Sequence, residues 1–356
     1  MNTQHMMMNW TVADAVAPQD NKQQVKAAGV TIAELIERNA AFDQWKRDVE
    51  VNANDFVLQP EGYFTMAGEG RYTIEDHALA QMCARIGNAH MGFAIPTNYA
   101  KFQINNEPAL FSPILAKSAS AYGKEVLLRS YNGSVRAFMS DKYTHIDNRD
   151  VLPMLEKFIN DKAGGQYELV RPYVGRDEMN VRIMFRDVSP EGGKDGNYGI
   201  GVVVRTGEIG NVSPAVLPFI QRHACENSTV WQEGGTVIKQ AGNRDYKLMQ
   251  LLGAIGSALG GSAELLEKMM ATRYVELPSI DSIITGLAAK FDWGSEMTYA
   301  VSAGTENSRT LFGLVNGLTY AAHAVNMPAQ QALEMEMLGG KMATSTASFA
   351  KSFAKN

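Results

Sequence analysis

Apolar positions recur at helical spacing in the first and last thirds of the chain and at strand spacing in the middle. Over residues 31–49, Ile32, Leu35, Ile36 and Trp45 fall near one face, and Thr31 followed by Glu34 reads as a capping box, so the pattern predicts a helix. A second helix is predicted over 74–86, with acids in its first turn and Gly87 just past its end. Residues 1–30 show little periodicity and read as a partly ordered arm, and 88–113, rich in Asn, Pro and Gly, as an irregular connection.

The middle third changes period. Residues 125–131 and 134–140 are short β-type runs joined across Asn132-Gly133, the strongest short-range hairpin signal. A helix is predicted to follow from Asp147, and then strands over 167–174, 179–187 and 198–207. Their connections are too short for parallel crossovers, so antiparallel pairing is expected. The stretch from Tyr198 to Trp231 reads as a buried strand, a glycine-rich turn and a second apolar run ending in Gln221-Arg222-His223. Helical spacing returns over 245–270, interrupted near Gly260, and over 279–291, 308–325 and 328–342. The expected fold class is therefore α+β, a central antiparallel sheet of hairpin plus meander packed with helices, with helical N- and C-terminal regions. The expected divisions are an arm and helical region (1–115), the sheet core (116–240), a helical region packed on it (241–345) and a mobile tail (346–356).

Composition narrows the class. With 45% hydrophobic and 20% charged residues the chain is an ordinary globular protein, and a formal charge of −5 excludes a globally basic nucleic-acid protein but not a local basic face. No run approaches the roughly 20 apolar residues that span a bilayer, and the first residues lack a signal-peptide pattern, so no membrane partner and a cytoplasmic location (host cytoplasm if phage-encoded) are expected. Cys83 and Cys225, without a CxxC pair, give neither a disulfide framework nor a zinc site and read as small buried hydrophobes.

Candidate chemistry is sparse. Gly199-Ile-Gly201 follows a strand, but Val-Val-Val-Arg stands where a dinucleotide turn needs a third glycine and a helix start. His223 and Cys225 share a face if extended and read as a packed pair rather than as metal or thiol chemistry. No catalytic residue, metal ligand or cofactor is expected, and the chain does not read as an enzyme. What remains is a set of cations and rings on the hairpin and its sequel: Arg129, Tyr131, Arg136, Lys142, Tyr143 and His145, extended by Arg171, Tyr173, Arg176, Arg182, Arg186, Arg205 and Arg222. Cations that track phosphates beside rings that stack on bases are what a single strand needs. The competing reading is a solvated mixed-charge face, since Glu125, Asp141, Asp147, Asp150, Asp187 and Glu208 are interspersed.

Four segments together resemble a family of phage and plasmid proteins labelled only as a domain of unknown function. They are Val135-Arg-Ala-Phe-Met-Ser-Asp-Lys-Tyr with Ile146-Asp-Asn, Gly199-Ile-Gly-Val-Val-Val-Arg-Thr-Gly-Glu-Ile-Gly, Arg222-His-Ala-Cys-Glu-Asn, and residues 307–323 beginning Asn307-Ser-Arg-Thr-Leu-Phe-Gly. The chain has Thr206-Gly207 where that pattern has Asn-Ser, and Asn227-Ser228 where it has Asn-Gly. The resemblance implies a place in mobile-element replication and recombination, and the element order is similar to that of annealing proteins of the Rad and Erf types. The resulting expectation is a non-enzymatic single-stranded-DNA-binding protein that anneals or protects strands as a homo-oligomeric ring or filament. In it Arg136, Lys142, Arg205 and Arg222, with Arg129, meet phosphates, and Tyr131 and Tyr143 stack on bases. The alternative is a mobile-element interaction protein, such as a host-defence antagonist or an assembly component. A nuclease has the least support, for want of a metal–carboxylate motif.

Overall fold

A computed structural model describes residues 17–20, 29–163, 167–185, 198–222, 227–238, 243–345 and 347–354. The expected class is present, α+β with antiparallel sheets and flanking helices, but the hairpin and the meander lie in two separate sheets.

The first sheet runs β1 (Lys46–Asn52), β5 (Glu125–Tyr131), β6 (Ser134–Ser140), β4 (Glu69–Ile74), β3 (Phe64–Met66), β2 (Phe56–Leu58), antiparallel except where β4 meets β6. The β5–β6 turn is the expected one, with both Asn132 (φ 46°) and Gly133 (φ 77°) left-handed. Helix α1 (Ile32–Asp43) keeps its capping box, but it stops six residues short of the predicted end. Trp45 lies in the turn, and the next residues are claimed by β5, with Asp48 opposite Arg129. Tertiary pairing overrides helical spacing there.

Helix α2 (Asp76–Met91) runs through Gly87 and ends at Gly92 in the left-handed conformation (φ 76°). The predicted irregular connection is instead two helices, α3 (Thr97–Asn106) and α4 (Pro108–Tyr122), the second opened by Pro108 in its first turn, where a missing N–H costs nothing. Helices α2, α3 and α4 bury Leu79, Ile86, Ile104, Phe111 and Leu115 against Val126, Leu128, Val135 and Phe138 of the sheet.

The second sheet runs β12 (Asn227–Val230), β11 (Ala215–Arg222), β10 (Tyr198–Gly207), β9 (Glu178–Phe185), β7 (Tyr167–Leu169). Two short strands complete it, β8 (Tyr173–Val174) beside β9 and β13 (Thr236–Val237) beside β11, all antiparallel as expected. Strand β10 is central and buried on both faces. A side chain at Gly201 would sit 2.3 Å from the Ile183 carbonyl oxygen, so this glycine serves strand packing and no nucleotide turn. One face carries α1, α5 (Asn148–Ala163) and α6 (Arg244–Gly260), and the other carries Leu333 of α11 (Ala329–Thr344) against Val203, Leu217, Phe219 and Val230.

Helices α7 (Ser262–Ala271), α8 (Ile280–Phe291), α9 (Ser295–Gly304), α10 (Leu311–Ala324) and α11 complete the C-terminal region around a further core. Of the predicted tail, the described residues 347–354 pack onto it. α12 (Ala347–Lys351) buries Ala350 completely, with Phe349 of the helix and Phe353 in the turn after it packed on the same core. At Gly340 of α11 an added Cβ would lie 2.1 Å from the Val230 carbonyl oxygen. Gly340→Ala is therefore expected to lower stability by about 1–3 kcal/mol through overpacking, read as a shift in the urea midpoint with unchanged slope; an unchanged midpoint would refute the close packing of α11 on β12.

Candidate nucleic-acid interface

The hairpin cations do not line a surface. Arg129 of β5 is 1% exposed and Arg136 of β6 is fully buried. Strand β6 bulges there: Arg129 pairs with Ala137 and Ser130 with Val135, which leaves Arg136 without a cross-strand partner and re-aims its side chain. Both arginines point toward the second sheet, where the chain leaving β10 delivers Glu208.

Glu208, itself fully buried, is the hub. Its carboxylate accepts from Lys46 Nζ at 2.9 Å, Arg136 Nη1 at 3.0 Å and the Asn148 backbone N–H at 3.1 Å, and its carbonyl oxygen accepts from Arg129 Nη1 at 2.7 Å. Arg129 also clasps Asp48 and Asp147, Arg136 reaches Asp177 at 2.9 Å, and Arg176 joins Asp177 and Glu75. Asn148 holds Thr206 Oγ1 at 2.8 Å and donates to the Gly175 carbonyl. Residues of three separate sequence segments, Arg136, Asp147–Asn148 and Thr206–Glu208, thus close one buried network that joins the two sheets. Its five carboxylates, Asp48, Glu75, Asp147, Asp177 and Glu208, outnumber its four cations, Lys46, Arg129, Arg136 and Arg176, so a phosphate has no uncompensated positive charge there to meet.

Asp147 carries a pH consequence. Burial raises its carboxyl, but the hydrogen bond and charge of Arg129 outweigh this and hold it at about 2. A depressed folded-state value stabilises above the unfolded value of about 3.9 and is lost as pH falls toward 2. This pair is thus expected to withdraw about 2 kcal/mol between about pH 5 and pH 1. Urea midpoints measured across that range should converge for wild type and Asp147→Asn; a constant gap between them would refute the assignment. Among the described residues, Asp48, His145 and Asp147 have metal-ligand spacing, within 4.8 Å of one another, but the Arg129 guanidinium already binds both carboxylates. Burial, then Arg129, lowers the His145 pKa.

The other expected contacts fare differently. Tyr131 is 7% exposed, donates to the Pro18 carbonyl and lies under the Arg176 guanidinium, so it presents no face to a base. Tyr143 is half-buried beneath Lys247. Arg205 is half-buried opposite Asn180 on the face that α11 covers, with its Nε unpartnered and its pKa lowered by burial. Arg182, from the wider set, is fully buried on Glu336. Tyr173 is buried and donates to Asp20. Arg186, His223 and Cys225 lie outside the described residues. Cys83 is buried as expected, and burial pushes its thiol up to about 12.

Lys142 and Arg222 reach solvent. Arg222, at the end of β11, faces Glu306 at 3.4 Å; across the strand Tyr198 accepts from Arg273, beside the 88%-exposed Tyr274. Lys142 stands on the rim of a groove of about 510 Å³ between α2, the end of α4 and the β5–β6 hairpin, lined by Arg85, Asn88, Tyr122, Lys124, Ser140 and Asp141. Arg85 is fixed by its Nε–H on the Phe138 carbonyl (3.2 Å), and Lys124 lies 5.6 Å from the Tyr122 ring centroid. Asp141, the one carboxylate in the lining, accepts from Ser140 Oγ at 3.0 Å. Three cations therefore face one acid, and none of the three has an ion-pair partner among the described residues. Arg85, Tyr122 and Lys124 were invisible as a site in the sequence, because α2 and the α4–β5 turn meet the hairpin only through the first sheet.

No protein-family model, curated protein or solved structure matches the chain.

Proposed function

We propose that the protein is a non-enzymatic single-stranded-DNA-binding protein that promotes strand annealing in phage or plasmid replication and recombination. The observation that carries this reading is the groove where Arg85, Lys124 and Lys142 surround Tyr122 with Asp141 as the sole acid. Cations gathered in one groove take backbone phosphates, and the half-buried Tyr122 offers a base the ring face that Lys124 uncovers when it turns to a phosphate. The strand follows the groove and not Arg129 and Arg136, which the buried network consumes, nor Arg205, which is half-buried on the face that α11 covers. Polarisation of a labelled oligonucleotide, titrated with protein at rising salt, tests the reading: salt-sensitive affinity for the single strand supports it, and indifference to nucleic acid at low salt overturns it.

The alternative, a mobile-element interaction protein, draws support from the exposed apolar side chains on α3 and α4. Capture of a host protein combined with indifference to nucleic acid would favour it. No helix among the described residues is long and apolar enough to cross a membrane.

A further inference from the structure

Two apolar features lie outside the cationic groove and lack a cover among the described residues. The first is convex. Tyr99 (48% exposed) and Phe102 (57%) of α3 stand beside Leu110 (69%) and Ile114 (42%) of α4. The outward face of α4 continues through Pro113 and Ala121 and is broken by Lys117 and Ser120, so the first two turns of this helix are apolar on the exposed as well as the buried side. A helix apolar all round belongs in an interior, and clustered large apolar side chains mark an interaction surface in a way that single ones do not.

The second is concave. A groove of about 610 Å³ between the α8–α9 turn and α11 is lined by Phe291, Trp293, Met297, Met327, Met337 and Leu338. Methionine's unbranched, polarisable side chain adapts to an inserted shape. The groove wall on α11 carries Glu334 and Lys341, seven residues or about 10 Å apart, with Asp292 facing them. The ridge on α4 is flanked by Glu107 and Lys117, ten residues or about 15 Å apart, and Lys117 has no ion-pair partner among the described residues. Laid antiparallel, Lys117 meets Glu334 and Asp292 while Glu107 meets Lys341.

We propose that the α3–α4 ridge of one copy seats in the α8–α9/α11 groove of the next, so that a second copy of this chain is the occupant of both features. The ridge and groove are different surfaces, so the contact is heterologous and each copy offers one free ridge and one free groove. Repetition of such a contact closes into a ring or extends as a filament. The contact uses none of the groove cations assigned to DNA, and either reading can fail without the other.

Sedimentation velocity of the full chain tests it. Wild type should form species larger than a dimer as concentration rises. Leu110→Glu/Ile114→Glu, both side chains solvent-exposed in the single copy, should be monomeric, as should the groove variant Phe291→Glu, whose side chain is 44% exposed. A mixture of the two should give a one-to-one dimer and nothing larger, because only one intact ridge and one intact groove remain. Lys117→Glu and Glu334→Lys, both at exposed positions, should each weaken association about two- to five-fold; Glu334 also supports the half-buried Arg205, so the urea midpoint of Glu334→Lys is measured alongside, and the two changes together in one chain should recover part of the association, Asp292 being left facing a carboxylate. A wild type that stays monomeric, a mixture that fails to dimerise, or a charge swap no better than its singles would overturn the proposal.

Discussion

Glu208→Ala is expected to lower the stability of the protein by about 3–5 kcal/mol, the cost of leaving buried cations without their carboxylate. Arg136 is fully buried and would keep Asp177 as its one carboxylate, beside the Arg176 carbonyl, and Lys46, whose side chain is 9% exposed, would keep Asp43 as its one carboxylate. The Asn148 backbone N–H would lose its acceptor as well, so the start of α5 should loosen with the joint between the sheets. Urea unfolding followed by circular dichroism measures the loss. Lys268→Ala provides a control, because that exposed lysine and its partners Glu233 and Glu264 form surface pairs of little worth. Pairing the change with Arg136→Met should recover part of the loss, since an apolar substitute for a complete buried ion pair is often neutral or better. A drop of less than about 1 kcal/mol for Glu208→Ala would contradict the role of the network as the joint.

The same network explains what the sequence hid. Alternation placed β5, β6, β9 and β10 and the Asn132-Gly133 turn, but the single strand expected over 167–174 is split into β7 and β8 and the short β12 and β13 were not expected; helical spacing placed α2, α5, α6, α8, α10 and α11 within a few residues. These signals are local. Residues 46–74 formed no predicted strands because β2 and β3 are three residues each and β4 six, too short to establish a period, and because β1 continues directly from a capped helix. Arg129 and Arg136 read as surface cations since nothing near them in sequence announces Glu208, 72 positions beyond Arg136. The competing reading of mixed charge came closer, with one difference: the charges are mixed because they pair in the interior and not because they are solvated. The resemblance segments held a usable signal. An arginine, an Asp-Asn pair and a Thr-Gly-Glu run at widely separated positions are polar residues that a buried joint needs, and they meet there. The groove offered no such cue, since Arg85 stands in one segment and the Tyr122–Lys124 pair in another, both apart from Lys142.

Lys124→Glu/Lys142→Glu should remove most single-strand affinity while leaving the fold intact, both side chains being exposed and free of ion pairs among the described residues. If Arg85, Lys124 and Lys142 meet about three phosphates, the slope of log affinity against log salt is about −2 for a single strand, at roughly −0.7 per phosphate. The double reversal leaves one contact and adds two repulsions. Its slope should shrink to about −0.7, and its affinity at low salt should fall by more than about tenfold. Tyr122→Leu should weaken binding without changing the slope, since a stacking ring releases no counterions; stacking contributes about 1–3 kcal/mol per base.

The most direct measurement is the polarisation of a labelled single strand titrated with wild type and with Lys124→Glu/Lys142→Glu at about 50 and about 200 mM salt. Binding through the groove predicts that wild-type affinity falls about twentyfold between those conditions and that the variant binds weakly at both. A wild type that ignores the strand at the lower salt, or a variant that keeps wild-type affinity and slope, would contradict it.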